Sequence, residues 1–497
     1  MDDLYPPHRR GLSDGPDKER ASASATGRLA GTAGIALAAN IAQQAAMLAI
    51  VLLAARYLVP AEYGVYTLAI VFVNLVQTLT YTGLFHFLVT GEGDERTILD
   101  TTFWLIVGSN AVCCGALVVL SPMIGSVFDA PDIAWVLAWL AVAQIMEGFI
   151  AWNSGVLMRR ARIRANFTAM LIQNVGALAA GVALLVVFQS LFALVAARFA
   201  RIAFGVLLYA VAQPTRPGLA FSRDLARHVW SYASNLYGTR ALNFLSLYGA
   251  DIALGLTFST SEAGLYRFGN RLATAAMDIV GVPLRHIALA RFGTTGRNAQ
   301  ATATELKRFA STKLLLLTCA AAAIMVFVDD AVGILFQPEY AAAVGVAYAL
   351  AVRGVTNAGN QFVEPIMASR GETGAVMRHH TVWTGAQIVV LFAAPTLGLI
   401  GLAWAQAAMA LVASIAAFRL IASRGIAVRP ALSDMGQVVG LALAYGGAIV
   451  LIEMTVATGL GGVPAFALAV ALSGVLALAL LALAARRNVF DLRIFAG

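Results

Sequence analysis

The sequence predicts an all-α polytopic membrane protein, with about fourteen transmembrane helices arranged as two parallel six-helix repeats plus two extra C-terminal helices. Three observations lead there. Of 497 residues, 60% are hydrophobic and 12% charged, and the mean hydropathy is +0.79, whereas soluble domains are about 45–50% apolar and about 25% charged. Apolar runs long enough to cross a bilayer follow one another with short polar breaks, and Lys and Arg collect in alternate breaks. A short motif also recurs at a constant interval.

Residues 1–28 are polar, contain Pro and Ser, and lack a signal peptide's apolar core, so they are expected to form a disordered cytoplasmic tail. The apolar runs then lie near 31–55, 64–89, 100–121, 133–153, 166–188 and 191–213, which make an N-terminal bundle over 29–213. A cytoplasmic linker at 214–228 follows. The second bundle, 229–423, contains runs near 229–257, 264–288, 310–328, 340–368, 374–394 and 397–418. Residues 424–497 add runs near 436–457 and 463–484 and a cytoplasmic end. Clusters such as Arg159–Arg160–Arg162–Arg164, Arg216–Arg223–Arg227 and Arg486–Arg487–Arg493 alternate with breaks such as 121–132, 257–263, 329–339 and 458–462, which hold no Lys or Arg. By the positive-inside rule both termini are cytoplasmic.

The outer connections are short, which leaves no folded outer domain and weighs against membrane glycosyltransferases, polymerases and ligases. No G-x-x-x-x-G-K-[ST] phosphate loop occurs, so direct ATP drive is unsupported. His379–His380, His86, His228 and His286 lack metal-ligand spacing and read as solvated or capping residues. Cys113, Cys114 and Cys319 lie inside apolar runs and read as small buried hydrophobes. The formal charge of +8 is spread between spans, which fits topology better than a nucleic-acid surface.

Pro60-Ala61-Glu62-Tyr63-Gly64-Val65-Tyr66 matches Thr260-Ser261-Glu262-Ala263-Gly264-Leu265-Tyr266 at an offset of 200. With an even number of spans per unit, the two halves run the same way across the membrane, related by an axis along its normal. Glu62 and Glu262 stand at helix starts, where a carboxylate meets free amide hydrogens. Gly64 and Gly264 permit tight entry, and Tyr66 and Tyr266 suit the interfacial aromatic belt.

The run 264–285 is apolar, yet it carries Arg267, Asn270, Arg271, Thr274, Asp278 and Arg285 within roughly a third of a helix circumference. Ionisable groups in a span need a water-filled cavity or a partner. Either a substrate or ion pathway, or a structural ion pair between spans, accounts for the stripe.

Arg56-Tyr57-Leu58-Val59-Pro60-Ala61-Glu62-Tyr63-Gly64-Val65-Tyr66, with Asp251-Ile252-Ala253-Leu254-Gly255 before Gly264-Leu265-Tyr266, resembles the signature of Wzx-type polysaccharide flippases. These belong to the multidrug/oligosaccharidyl-lipid/polysaccharide exporter superfamily. Val59 stands where that signature has glycine, and the last two spans exceed its usual twelve. The resemblance implies MATE-like bundles around a cavity lined by spans 1, 2, 7 and 8, alternating access, and a lipid-linked oligosaccharide cargo.

Those four spans carry polar residues. Asn40, Gln43 and Gln44 in span 1 and Asn74 and Gln77 in span 2 are uncharged; they either face the cargo's sugars or hold helices together. Arg240, Asn243 and Asp251 share a face of span 7. Charge therefore concentrates in the second half. Arg240, Arg267 and Arg271, with Asn243, Asn270 and Thr274, are candidates for an anionic headgroup site, since a guanidinium can donate two hydrogen bonds to phosphate. Asp251 and Asp278 are candidates for coupling, as proton carriers or as partners that neutralise Arg240 and Arg271. No cofactor is called for, and a proton or sodium gradient is the candidate drive.

The leading function is translocation of an undecaprenyl-pyrophosphate-linked oligosaccharide across the bacterial inner membrane, from cytoplasmic to periplasmic leaflet, for exopolysaccharide, capsule or O antigen. A polysaccharide polymerase and chain-length machinery are candidate partners. The alternatives are a drug/cation exporter, a membrane-embedded polysaccharide-assembly enzyme and a non-transporting scaffold. The first expects an acidic cavity and the second a nucleophile–base or metal constellation.

The alternation of arginines carries a testable topology. Reporter fusions after Ala130 and Glu262 are expected to read periplasmic, and fusions after Arg162 and Arg297 cytoplasmic. A cytoplasmic signal at Glu262 would undo the parallel repeat.

Overall fold

The computed structural model describes residues 16–213, 216–295, 298–459 and 462–486, and among them the chain is helical with no strand. The side chains of some residues within these helices, Asn243 included, lie outside that description. The N-terminal half comprises α1 (Pro16–Tyr57), α2 (Pro60–Thr90), α3 (Glu95–Val127), α4 (Asp132–Arg159), α5 (Ile163–Phe188) and α6 (Leu191–Ala212). The second half comprises α7 (Arg223–Thr257), α8 (Thr260–Thr295), α9 (Ala299–Leu335), α10 (Ala342–Thr356), α11 (Val363–Ser369), α12 (Thr373–Phe392) and α13 (Ala394–Ala422). A short α14 (Arg429–Ser433) leads to α15 (Met435–Gly459) and α16 (Gly462–Arg486).

Among the described residues ten helices are long and apolar enough to cross a membrane, or eleven if α10 and α11, bent by 44° at a short break, make one span. Every apolar run predicted above coincides with one helix or with this bent pair. Helix α1 begins at Pro16, so the second half of the stretch expected as a tail is helical, and the part before Pro16 lies outside the described residues. Its composition explains the extension: after the proline at its start come Asp, Lys, Glu, Arg and alanines, which are mostly good helix formers.

Local chemistry ends the helices where the breaks fall. The Asp94 carboxylate accepts from the Thr97 amide at 2.8 Å to open α3, and Asn298 accepts from the Gln300 and Ala301 amides at 3.1 Å to open α9. Arg159 at the end of α4 donates to the Leu88 and Gly91 carbonyls, both at 2.9 Å, and so caps α2. The expected linker is shorter than 214–228, because α7 starts at Arg223. What remains is clasped against α3: Asp100 accepts from the Gly218 amide at 2.7 Å, and Trp104 donates to the Gly218 carbonyl at 3.1 Å.

The packing repeats between halves. In the first, α1 packs on α5, α5 on α6, α3 on α4, α2 on α4 and α4 on α6. In the second, α7 packs on α12, α12 on α13, α9 on α10, α8 on α10 and α10 on α13, which is the same list with each helix replaced by its counterpart. Helices α15 and α16 pair with each other and lean on α9 through Leu315, Cys319, Tyr445 and Ile449.

The recurring motif is where the halves meet. Helices α2 and α8 cross at their first turns, so closely that a Cβ on Gly64 would lie 1.8 Å from the Thr260 carbonyl oxygen and one on Gly264 2.2 Å from that of Pro60. Three bonds fasten the turn after α1 to the turn after α9: Arg56 to the Leu335 carbonyl at 2.9 Å, Gln337 to the Arg56 carbonyl at 3.3 Å and Tyr340 to the Leu58 carbonyl at 3.2 Å. Glu62 accepts from the Val59 amide at 3.3 Å, the contact expected at a helix start, whereas Glu262 accepts from the Ser259 hydroxyl, whose oxygen accepts from the Glu262 amide at 3.3 Å. The tyrosines differ from expectation. Tyr66 and Tyr266 line the inter-lobe cavity, and buried Tyr266 donates to Gln406 at 2.9 Å; the crossing points this face of each helix inward.

Because backbone occupies the space beside Gly64, neither rotamer choice nor small shifts make room for a side chain there. Gly64→Val is expected to lower the thermal stability of the detergent-purified protein by about 1–3 kcal/mol or more, as overpacking does. Gly281→Val, on α8 with nothing within 4 Å, is the matched control and is expected to leave it nearly unchanged. Equal melting of both variants would show that the crossing bears no load.

Candidate functional site

A cavity of about 760 Å³ lies between the two lobes, lined by residues of both. The wet stripe of α8 forms part of its wall: Arg267, Asn270, Arg271, Thr274 and Asp278 all line it. Arg285, at the far end of the same stripe, is exposed and is not among the lining residues. Across the cavity stand Gln43 of α1 and Asn74 and Gln77 of α2. Asn74 donates to the Tyr248 hydroxyl at 3.0 Å and thereby ties α2 to α7.

Each buried charge has a distinct arrangement. Arg267 forms an ion pair with Asp251 at 3.0 Å, where the carboxylate side chain is 3% exposed, and its guanidinium lies 5.3 Å from the Tyr248 ring centroid. This pair locks α8 to α7. Arg271 instead donates to the backbone carbonyl and side-chain oxygen of Gln44, both at 3.3 Å, crossing from α8 to α1. No direct ion pair joins Arg271 to Asp278, and the Arg271 Nε and Asn270 Oδ1 atoms are buried without a hydrogen-bond partner. The structural ion pair considered for the stripe is therefore made by Arg267 with Asp251, not by Arg271 with Asp278.

Arg240 is exposed on α7 and is not among the cavity-lining residues, to which the same helix contributes Ser246 and Tyr248. Asn40 is likewise exposed on α1 and off the cavity wall, while Gln44 serves as the Arg271 acceptor. The side chain of Asn243 lies outside the described residues.

Charge is not confined to the second half. Arg198 and Arg201 of α6 and Glu147 of α4 also line the cavity, as does Arg353 of α10. Arg201 reaches both Glu147 oxygens, at 3.0 and 3.1 Å, and Arg198 donates to Gln144 at 3.2 Å, so α6 is bound to α4. In the second lobe Arg353 donates to Gln406 of α13 at 2.6 Å. These bridges join corresponding helix pairs, α4 with α6 and α10 with α13, with the cation moved from one member to the other. Arg198 and Arg201 had a readable signal, since both interrupt the apolar run 191–213 three residues apart. Which lobe they face did not.

Two further polar residues lie close behind the wall. Lys313 of α9 is buried and donates to Gln361, a lining residue, at 2.5 Å. His379, expected to be solvated or capping, is buried with Nε2 2.6 Å from Asn360 Oδ1. Among the described residues no group of three or more His, Cys, Asp or Glu is placed to hold a metal.

The lining thus combines five arginines with two carboxylates, Glu147 and Asp278. In a low-dielectric surround such a wall attracts anions. Ion pairs to Glu147 and Asp251 occupy Arg201 and Arg267, and among the described residues Arg198, Arg271 and Arg353 bond only to amide or carbonyl oxygens.

Comparison with known proteins agrees with this architecture. The chain is 23% identical over 328 residues to the succinoglycan biosynthesis transport protein ExoT of Rhizobium meliloti (strain 1021), a match covering 65% of each protein. It is 26% identical over 129 residues to the lipopolysaccharide biosynthesis protein WzxC of Escherichia coli (strain K12), covering 24% of this chain and 26% of that protein. The aligned region therefore spans just under two thirds of the first relative and about a quarter of the second. Among solved structures, the lipid II flippase MurJ in an inward closed conformation superposes with a TM-score of 0.68 at 12% identity, over 90% of this chain and 98% of that one. An inward-facing multidrug resistance MATE family transporter gives 0.64 at 12% identity, over 77% and 94%. Both share the fold of two bundles about a central cavity. The family model described as "Polysaccharide biosynthesis protein" matches residues 53–345, the stretch that holds both copies of the motif and every cavity arginine except Arg353. On that match, and in keeping with the Wzx-type resemblance of its motif, the chain belongs to the polysaccharide biosynthesis protein family.

Proposed function

We propose that this protein flips an undecaprenyl-pyrophosphate-linked oligosaccharide from the cytoplasmic to the periplasmic leaflet of the bacterial inner membrane, supplying repeat units for exopolysaccharide, capsule or O antigen. The observation that carries this reading is the net-basic wall of the inter-lobe cavity, where Arg271 and Arg353 bond to neutral oxygens and form no ion pair with a carboxylate among the described residues. Pyrophosphate is the anion that every such cargo shares, and guanidinium forks suit it. On this reading Arg271 and Arg353 hold the headgroup, Arg267 adds charge from its pair with Asp251, and Asn270 and Thr274 flank it. Gln43, Asn74 and Gln77 face the sugars. A drug/cation exporter fits less well, since five arginines against two carboxylates would repel a cationic cargo.

The chain crosses the membrane fourteen times in this reading, with α7, α8 and α12 joining the ten apolar helices and the bent pair, and both termini cytoplasmic. The first turns of α2 and α8 then form the periplasmic seal. Helix α2 packs extensively on α7, whereas α1 meets α8 at few points; the looser seam suits passage of a lipid tail while the sugars cross inside. Asp251, closed on Arg267, serves as a clamp. Coupling to a proton or sodium gradient falls to Asp278, the cavity carboxylate without an ion-pair partner among the described residues.

In proteoliposomes with a fluorescent undecaprenyl-pyrophosphate oligosaccharide, Arg271→Ala is expected to slow flipping at least about tenfold, with Arg271→Lys restoring only part. Both variants are compared as inserted, monodisperse protein. Wild-type flipping by Arg271→Ala would remove the headgroup assignment.

Coupling has its own readout. If Asp278 carries the proton, Asp278→Asn flattens the pH dependence of flipping; a retained pH profile at normal rate would exclude it from that role.

A further inference from the structure

Lys313 stands just before a run of four leucines on α9, is buried, and forms no ion pair among the described residues. A charged side chain in a span calls for a partner or a task. Its ammonium donates to Gln361 Oε1 at 2.5 Å and lies 5.0 Å from the Phe362 ring centroid. Gln361 belongs to the short turn Asn360–Phe362 between α10 and α11, and it lines the cavity. That turn is held from several sides. The Asn360 amide donates to the Ser414 hydroxyl and its side chain to Asn357, both at 3.1 Å, while its Oδ1 meets His379 Nε2. An ammonium carries donors only, so the end of the Gln361 amide that it holds is the oxygen, and the Nε2 group keeps both hydrogens for another acceptor. The adjacent positive charge polarises the amide and strengthens those donors.

We infer that Lys313 is a positioning residue for cargo recognition: from behind the wall it locks Gln361 with its donor end towards the cavity, so that Gln361 takes a neutral, acceptor-only oxygen, the carbonyl of an acyl ester on the glycan. This inference rests on the lipid-linked oligosaccharide reading above and adds to it a class of sugar substituent. A hydroxyl can turn to suit either end of an amide, whereas an ester carbonyl pairs only with a donor. Phosphate oxygens are acceptors too, but the position disfavours them. Gln361 lies eight residues beyond Arg353, and Asp278 seven beyond Arg271. In the topology proposed above α8 and α10 run the same way, which puts Gln361 and Asp278 at one level, about two turns from the headgroup arginines. There a carboxylate opposes a phosphate and leaves a neutral carbonyl unopposed.

The test uses two synthetic probes, a polyprenyl-pyrophosphate-linked disaccharide with an O-acetyl ester on its terminal sugar and the same compound without the ester, bound to the full-length protein in nanodiscs. Wild type is expected to bind the acetylated probe about fivefold more tightly. Lys313→Met keeps an unbranched stem beside Phe362 but frees the amide to turn, so the preference should fall below about twofold. Lys313→Arg still donates to the amide oxygen and should retain it. Gln361→Glu has the same size and keeps a partner for Lys313, but it offers acceptors where Gln361 offers donors. It should abolish or reverse the preference, and it decides the matter alone if Lys313→Met fails to insert. Equal affinity of wild type for the two probes would overturn the inference. So would an inserted Lys313→Met variant that keeps the wild-type ratio, which would make Lys313 a fastening between helices, or a Gln361→Glu variant that keeps it, which would make the preference one of size. Failure of wild type to bind either probe would overturn the proposed cargo and this inference together.

Discussion

The backbone-to-backbone crossing of α2 and α8 is the constraint from which the rest follows. In lipid no hydrophobic force drives helices together, so close contact depends on residues small enough for backbones to meet. Gly64 and Gly264 supply that on both helices at once, and the Thr260 and Pro60 carbonyls occupy the places where their side chains would be. Because the two helices meet at their first turns and belong to different lobes, each lobe is pinned to the other at one end. The cavity is what remains between them beyond that point. The bonds from Arg56, Gln337 and Tyr340 to backbone carbonyls sit at the same end and reinforce the same closure.

Inside the cavity, charge is organised by helix pairs. Burying an arginine in a span is costly unless a partner or water receives it, and the fold meets that cost with the bridges α6 to α4, α8 to α7 and α10 to α13. Two of these occupy corresponding positions in the two lobes. Arg201 reaches Glu147 across the α4–α6 contact, and Arg353 reaches Gln406 across the α10–α13 contact. The duplicated scaffold has kept a polar link at one place while its charges changed helix. In the first lobe the ion pair leaves the neighbouring Arg198 as the net charge; in the second, a neutral acceptor leaves Arg353 itself charged. The two walls therefore differ in chemistry although their packing is alike.

Arg267 and Arg271 show why neighbours on one stripe need not share a role. They are one turn apart on α8, yet the first is closed by Asp251 and Tyr248 and the second reaches over to Gln44 of α1. An arginine held by a carboxylate acts chiefly as a structural fastening, since removing either partner leaves a buried charge. One held by amide and carbonyl oxygens keeps its full charge for an anion. The stability of the lobe and the attraction of the cavity for anions thus come from the same residue type in two electrostatic settings.

Apolar run length and the 3.6-residue period are local properties, so the sequence by itself determined the helices, their order, the alternation of basic breaks and the wet face of α8. The duplicated motif and its helix-start carboxylates were legible for the same reason, since caps depend on residues three apart. Sequence did not reveal that Tyr66 and Tyr266 face inward, that Arg240 and Asn40 stand off the cavity, or that Arg198, Arg201 and Glu147 form a charged centre in the first lobe. Those depend on how each helix is rotated about its axis and which neighbour it meets. Rotation is set by packing between segments hundreds of residues apart, such as α2 against α8. Pairing was decided there as well: Asp251 and Asp278 are both carboxylates near arginines along the chain, and only the crossing of α7 with α8 gives Arg267 to Asp251 and leaves Asp278 facing the cavity.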